Sequence, residues 1–176
     1  MLDIAVAYNR YKFLGHEFLT WMWHRIDNDI REDGADSEIM TLSIGSRIVI
    51  ENCRHNREEV LTIRGDGAGL EEGLLALNKG GKVTEMHLIY RKGELEWRFT
   101  IKGESLNISS LKCPQTGNLE KKDEVEGAVL ERIYLVDQVI DLVNGLYCRF
   151  VRERLSSGWE QRLRAINEWI RRSIQG

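Results

Sequence analysis

The sequence predicts an α+β domain: a mostly antiparallel sheet combined with an aromatic N-terminal helix, one middle helix and a C-terminal helical pair. Three observations point to it. Between Leu95 and Lys102, the side chains of Leu95, Trp97, Phe99 and Ile101 alternate with those of Glu96, Arg98, Thr100 and Lys102, the two-residue period of a strand with one buried and one wet face. From Leu2 to about Ile26, apolar residues recur at helical spacing through Ile4, Tyr8, Tyr11, Phe18 and Met22. Beyond Asp123 the helical period returns with no proline to interrupt it. With 176 residues, 42% of them hydrophobic, and one proline, the chain has enough apolar area to offset the entropy of ordering one core. A single domain spanning 1–176 follows, divisible near residue 118 into a helix-and-sheet part and a helical part.

Each element has its own local cause. The first helix is apolar over most of its circumference from Phe18 to Trp23, so it must be sandwiched rather than lie on a surface. Asp27 to Glu38 carries six acids against Arg31 and reads as a solvated acidic loop. Thr41–Ile44, Arg47–Glu51 and Glu59–Arg64 are β-branched, partly alternating strands, with Gly45-Ser46 and His55-Asn56 as turns between them. Leu70, Leu74 and Leu77 share a helical face, and Gly80-Gly81 ends that helix, since glycine tolerates the left-handed position past a helix end. Val83–Tyr90 and Leu95–Lys102 form a hairpin around Gly93, and Ser105–Leu111 continues as a third strand. Asp123 and Ser157, each followed three residues later by a glutamate, predict the starts of the last two helices. Their apolar stripes are Val125, Val129, Ile133, Val136, Val139, Val143, Leu146 and Phe150, then Trp159, Leu163, Ile166, Ile170 and Ile174.

Several function classes drop out. No apolar run approaches the roughly 20 residues that cross a bilayer, and Met1-Leu2-Asp3-Ile4 lacks the basic and apolar regions of a signal peptide. A cytoplasmic protein without membrane attachment is expected. Cys53, Cys113 and Cys148 are odd in number and widely spaced, which speaks against a disulfide framework or zinc knuckle; they read as small, mostly buried side chains. The glycines from Gly65 to Gly69 follow a strand and precede a helix but lack the Lys-Ser/Thr of a phosphate loop, and Asp66 would repel phosphate. His16, His24, His55 and His87 show no metal-ligand spacing. There is no G-x-S-x-G, and Cys148 lies in an apolar stripe. No catalysis, cofactor or metal is expected.

Charge is more informative. The chain has 25 Lys and Arg against 28 Asp and Glu, a net −3, whereas a non-specific nucleic-acid binder draws its affinity from a cationic excess. The excess here is local. Lys121 to Asp141 holds three bases and six acids, whereas Arg149 to Arg172 holds seven arginines and three glutamates. Arginine's planar fork suits phosphate or carboxylate; the competing account is that these cations offset helix dipoles and pair with Glu153, Glu160 and Glu168.

Two stretches carry a family resemblance. Phe13-Leu14-Gly15-His16-Glu17-Phe18-Leu19-Thr20-Trp21-Met22-Trp23, and Ala76 to Leu88 with the Trp97-Arg98-Phe99-Thr100-Ile101 strand, resemble the recombination-associated protein RdgC family. Leu130-Glu131-Arg132-Ile133 and Arg152 to Trp159 look like the C-terminal helical part of its relatives. The resemblance covers nearly the whole chain and corresponds to the family's C-terminal half. It implies sequence-independent binding of double-stranded DNA by a ring-shaped homodimer that modulates RecA-driven recombination, with no catalysis. The family's basic segment before the middle helix corresponds to Arg64-Gly65-Asp66-Gly67, where Arg64 alone is cationic.

The expectation is therefore a non-enzymatic duplex DNA-binding protein, nucleoid-associated through that DNA. Arg149, Arg152, Arg154, Arg162, Arg164, Arg171 and Arg172 would contact phosphates, assisted by Lys79 and Lys82. Phe18, Trp21 and Trp23 would bury against a second copy in a homodimer. The alternative is an interaction or assembly module without DNA affinity; nucleotide hydrolysis through the glycine cluster ranks last.

Overall fold

A computed structural model describes residues 4–28, 40–54, 57–64, 69–115 and 124–172, with the side chains of 4–12, 40, 41, 53, 54, 57, 58, 69, 70, 124, 125 and 172 outside the described set. The acidic loop beyond Asn28, the glycine cluster from Gly65 to Ala68 and the Asp123 cap therefore lie outside the described residues. In chain order the elements are α1 (Ile4–Asp27), β1 (Met40–Arg54), β2 (Arg57–Arg64), α2 (Gly69–Asn78), β3 (Lys82–Lys92), β4 (Leu95–Lys102), β5 (Ile108–Lys112), α3 (Glu124–Arg154) and α4 (Trp159–Arg172). The five strands form one antiparallel sheet in the order β2-β1-β3-β4-β5, so the α+β class holds.

The alternation in β3 and β4 decides which face is covered. Met86, Leu88, Trp97, Phe99 and Ile101 are buried, and their register partners carry the same face across to Ile48 and Ile63. On that face lies α1, tied to the sheet by His16 Nδ1, which donates to the Val83 carbonyl at 2.9 Å. Gly15 lets α1 approach: a Cβ there would land on the carbonyl of Gly103. The far side of α1 is covered by α3, where Phe150 and Tyr147 pack on Phe18 with ring centroids 5.6 and 5.3 Å apart, and by α4, where Trp169 meets Trp23 edge-on at 5.4 Å. The helix is sandwiched as its sequence requires. The middle helix ends as expected, with Gly80 at φ 89° and bonds from Gly80 N to Leu77 O and from Gly81 N to Ala76 O, the two-bond closure of a helix C-terminus.

Several expectations are corrected. Phe18, Trp21 and Trp23 are at most 1% exposed; α3 and α4 of the same chain cover them, so they are core residues and no interface is built from them. Gly45-Ser46 is no turn but a bulge inside one long strand: Ile44 pairs with Leu88 and Ile48 with Met86, so β1 has two extra residues there. The last strand starts at Ile108 rather than Ser105, because Leu106 sits at φ 55° and Lys102 N bonds to Asn107 O. Along α3 the buried stripe begins at Leu135, whose carbonyl accepts the Trp97 indole N–H at 2.9 Å. Val129 and Ile133 are exposed, because burial on α3 starts only at Leu135. Leu163 is exposed on α4, and Trp169 takes its place in the core. At the α3–α4 junction the hydroxyl bonded to backbone is that of Ser156, not Ser157. Cys113 is half-buried, whereas Cys148 is exposed.

Candidate nucleic-acid interface

The arginine-rich C-terminal end proves to be two different things. Arg162 donates to Glu153, which also accepts the Trp21 indole N–H at 2.8 Å. Burial works to raise the Glu153 carboxyl, and the bonds from Arg162 and Trp21 outweigh it and hold it below its ordinary value. Arg154 donates to Glu17 at 2.6 Å and stacks over Phe13 and Trp159; the Glu17 bond raises its pKa further. Both side chains are more than two-thirds covered and pin α3 and α4 to α1. Arg149 is half-buried and lines a cavity with Tyr90 of β3 and Asp141. That leaves Arg152, Arg164 and Arg171 exposed, with Arg164 3.9 Å from Glu160; the Arg172 side chain is outside the described residues. Lys79 is exposed at the end of α2. The predicted set is not gathered onto one face.

A basic surface lies elsewhere. The face of the sheet away from the helices carries Arg47, Arg64, Lys82, Arg91, Arg98, Lys102 and Lys112 against Glu51, Glu58, Glu85 and Glu96 by strand register, seven cations to four carboxylates. Of the predicted contacts, Lys82 alone falls here. Arg47 stands directly opposite Arg64, and Arg98 directly opposite Lys112. Like charges facing each other across strands destabilise a sheet. Neutralisation is incomplete: Arg47 and Lys102 share Glu85, and Arg91 and Arg98 share Glu96, each at 2.7 Å. Those two guanidinium bonds, Arg98's the larger, hold the Glu96 carboxyl below its ordinary value.

Two irregularities shape this face. The bulge in β1 turns the Ser46 N–H onto His87 Nδ1 at 3.0 Å, and a side chain at Gly45 would strike the His87 ring. In β5, Ser110 at φ 53° accommodates an extra residue between Ser109, opposite Thr100, and Lys112, opposite Arg98. That bulge returns Lys112 to the wet face. His87 sits at the centre. Burial depresses its pKa, and Arg98, Arg47 and Lys112, from three different strands, depress it further.

Sequence reasoning found the wet side of β4 but not this patch, whose cations come from five strands. Its one local signal was the Glu96, Arg98, Thr100, Lys102 alternation. Among the described residues, no three or more His, Cys, Asp or Glu side chains gather in a way that could hold a metal ion, and no helix is long and apolar enough to cross a membrane. Comparison with protein-family models, with curated proteins and with solved structures found no match.

Proposed function

We propose that the chain binds duplex DNA through its phosphates, without sequence preference, on the open face of the sheet. The observation that supports this best is the pair of same-sign cross-strand contacts, Arg47–Arg64 and Arg98–Lys112. Such contacts cost stability unless an anion lies over them. A repeating polyanion suits charges spread over five strands better than a small ligand does. The aromatic side chains of the described strands, Tyr90, Trp97 and Phe99, belong to the buried face. Among the described residues the wet face offers only the half-buried His87 ring, already engaged by Ser46 and packed against Gly45, in place of a row of aromatics for stacking unpaired bases, which favours a duplex. The RdgC-like sequence features lead to the same ligand.

The test is a fluorescence-anisotropy titration of a labelled duplex against salt. Binding at low salt that weakens steeply as salt rises is expected. The pair Arg98→Glu and Lys112→Glu should weaken it at least about tenfold, or roughly 1.4 kcal/mol, whereas Arg164→Glu with Arg171→Glu should weaken it less. Absent binding, salt-insensitive binding, or undiminished affinity in the sheet variant would overturn the proposal.

A further inference from the structure

The N-terminal half of α3 presents a second apolar stripe, on the side away from the core. Val129, Leu130, Ile133, Tyr134 and Ile140 are between 48% and 62% exposed. The i+3 and i+4 spacings of Val129, Leu130, Ile133 and Tyr134 place them along one side of the helix, and Ile140, two turns beyond Ile133, continues that side. Contiguous exposed apolar surface of this kind marks an interaction site rather than ordinary surface. The charges interleaved with it select the partner. Glu126, Asp137 and Asp141 are exposed on the same side, each within a turn of the apolar side chains. Arg132 projects to another side.

We infer that this stripe docks a cationic amphipathic helix of another protein, its apolar residues seated on Leu130 and Ile133 and its Lys or Arg side chains on the three carboxylates. A second copy is disfavoured by the same charges. An antiparallel pairing centred on the stripe sets Glu126 of one protomer against Asp141 of the other, so carboxylates oppose carboxylates. A polyanion is excluded for the same reason. The surface is distinct from the basic sheet face, so the inference stands whether or not that face binds DNA.

The test is an anisotropy titration of the full chain with a labelled peptide of about 18 residues, five helical turns, carrying Leu on one face and Lys on the other. A Glu-for-Lys peptide and a scrambled Lys peptide accompany it. The Lys peptide should bind in the micromolar range and the other two at least about tenfold more weakly. Leu130→Ser with Ile133→Ser should lose at least about tenfold at unchanged charge, and Glu126→Gln, Asp137→Asn and Asp141→Asn together a similar factor at unchanged apolar area. Both variants should melt as the parent does, because the altered side chains are exposed. Equal binding of the Glu or scrambled peptide, or no loss in either variant, overturns the inference. So does concentration-dependent dimerisation abolished by Leu130→Ser with Ile133→Ser, since the occupant is then a second copy.

Discussion

His24 and Gly15 show how single atoms set the stability of this domain. The His24 imidazole is 5% exposed, lies edge-on to Trp169 at 5.4 Å, and its Nδ1 has no hydrogen-bond partner among the described residues. Burial pushes its pKa from 6.5 down to about 4, with Arg162 and Arg25 adding to the shift and Glu153 opposing it. Between those values the unfolded chain holds the proton and the folded chain does not, so stability falls as pH drops through the window. The full loss is about 3 kcal/mol, complete once pH is below the folded value. Glu153 acts in the same direction below 4.5. Asp27, which burial raises against the Trp169 bond, acts in the opposite one, since a raised carboxyl favours the fold at low pH. His24→Phe separates them: the parent's urea midpoint should drop from about pH 7 to about pH 4.5 much more than that of the variant. Parallel pH profiles would contradict this assignment. At Gly15 the constraint is steric. A methyl there meets the backbone carbonyl of Gly103, which cannot rotate away as a side chain can, so Gly15→Ala should cost about 2–4 kcal/mol. A thermal melt checks it, and an unchanged midpoint would show that α1 can slide on the sheet.

The elements divide the cations into those that hold helices together and those left to meet a ligand. Replacing Arg162 by Leu removes a guanidinium hydrogen bond from Glu153, already partly buried, and leaves it the Trp21 indole bond and the charge of Arg25. The expected loss is about 1–3 kcal/mol in chemical denaturation, with duplex affinity changed less than about twofold. The reverse outcome, intact stability and lost DNA binding, would return Arg162 to the phosphate-contacting set. The sequence shows seven arginines near its end, but not that Arg154 finds Glu17 and Arg162 finds Glu153, because those pairings depend on how α3 and α4 dock on α1. Gly45-Ser46 reads locally as a turn. Its bulge is explained only by the His87 ring of another strand, which fills the space a side chain would need. Along α3 the periodicity shows one long apolar stripe, whereas the structure splits it between a buried face and an exposed one. Where along the helix that burial begins is a tertiary fact, so Val129 and Ile133 stay exposed although they continue the stripe. What was legible was what local period controls: the helices, the β3–β4 hairpin, the Gly80 terminus and the wet side of β4.

At the scale of the whole molecule, the net charge of −3 and the excess of three cations on the open sheet face must be reconciled. The compensating acids lie on other surfaces, including the outer side of α3, so a duplex should be attracted in one orientation and repelled in most others. Salt dependence measures this directly. Four to seven phosphate contacts give a slope of log K on log salt of roughly −4 to −6. Changing Lys112 to Gln should reduce its magnitude by about one, with affinity falling equally for unrelated sequences. Arg164→Gln, on a helix with its own glutamates, should leave the slope nearly unchanged. A slope near zero would mean that the facing pairs Arg47–Arg64 and Arg98–Lys112 are tolerated for some reason other than a polyanion. A slope that responds to Arg164 and not to Lys112 would move the DNA from the sheet to α4.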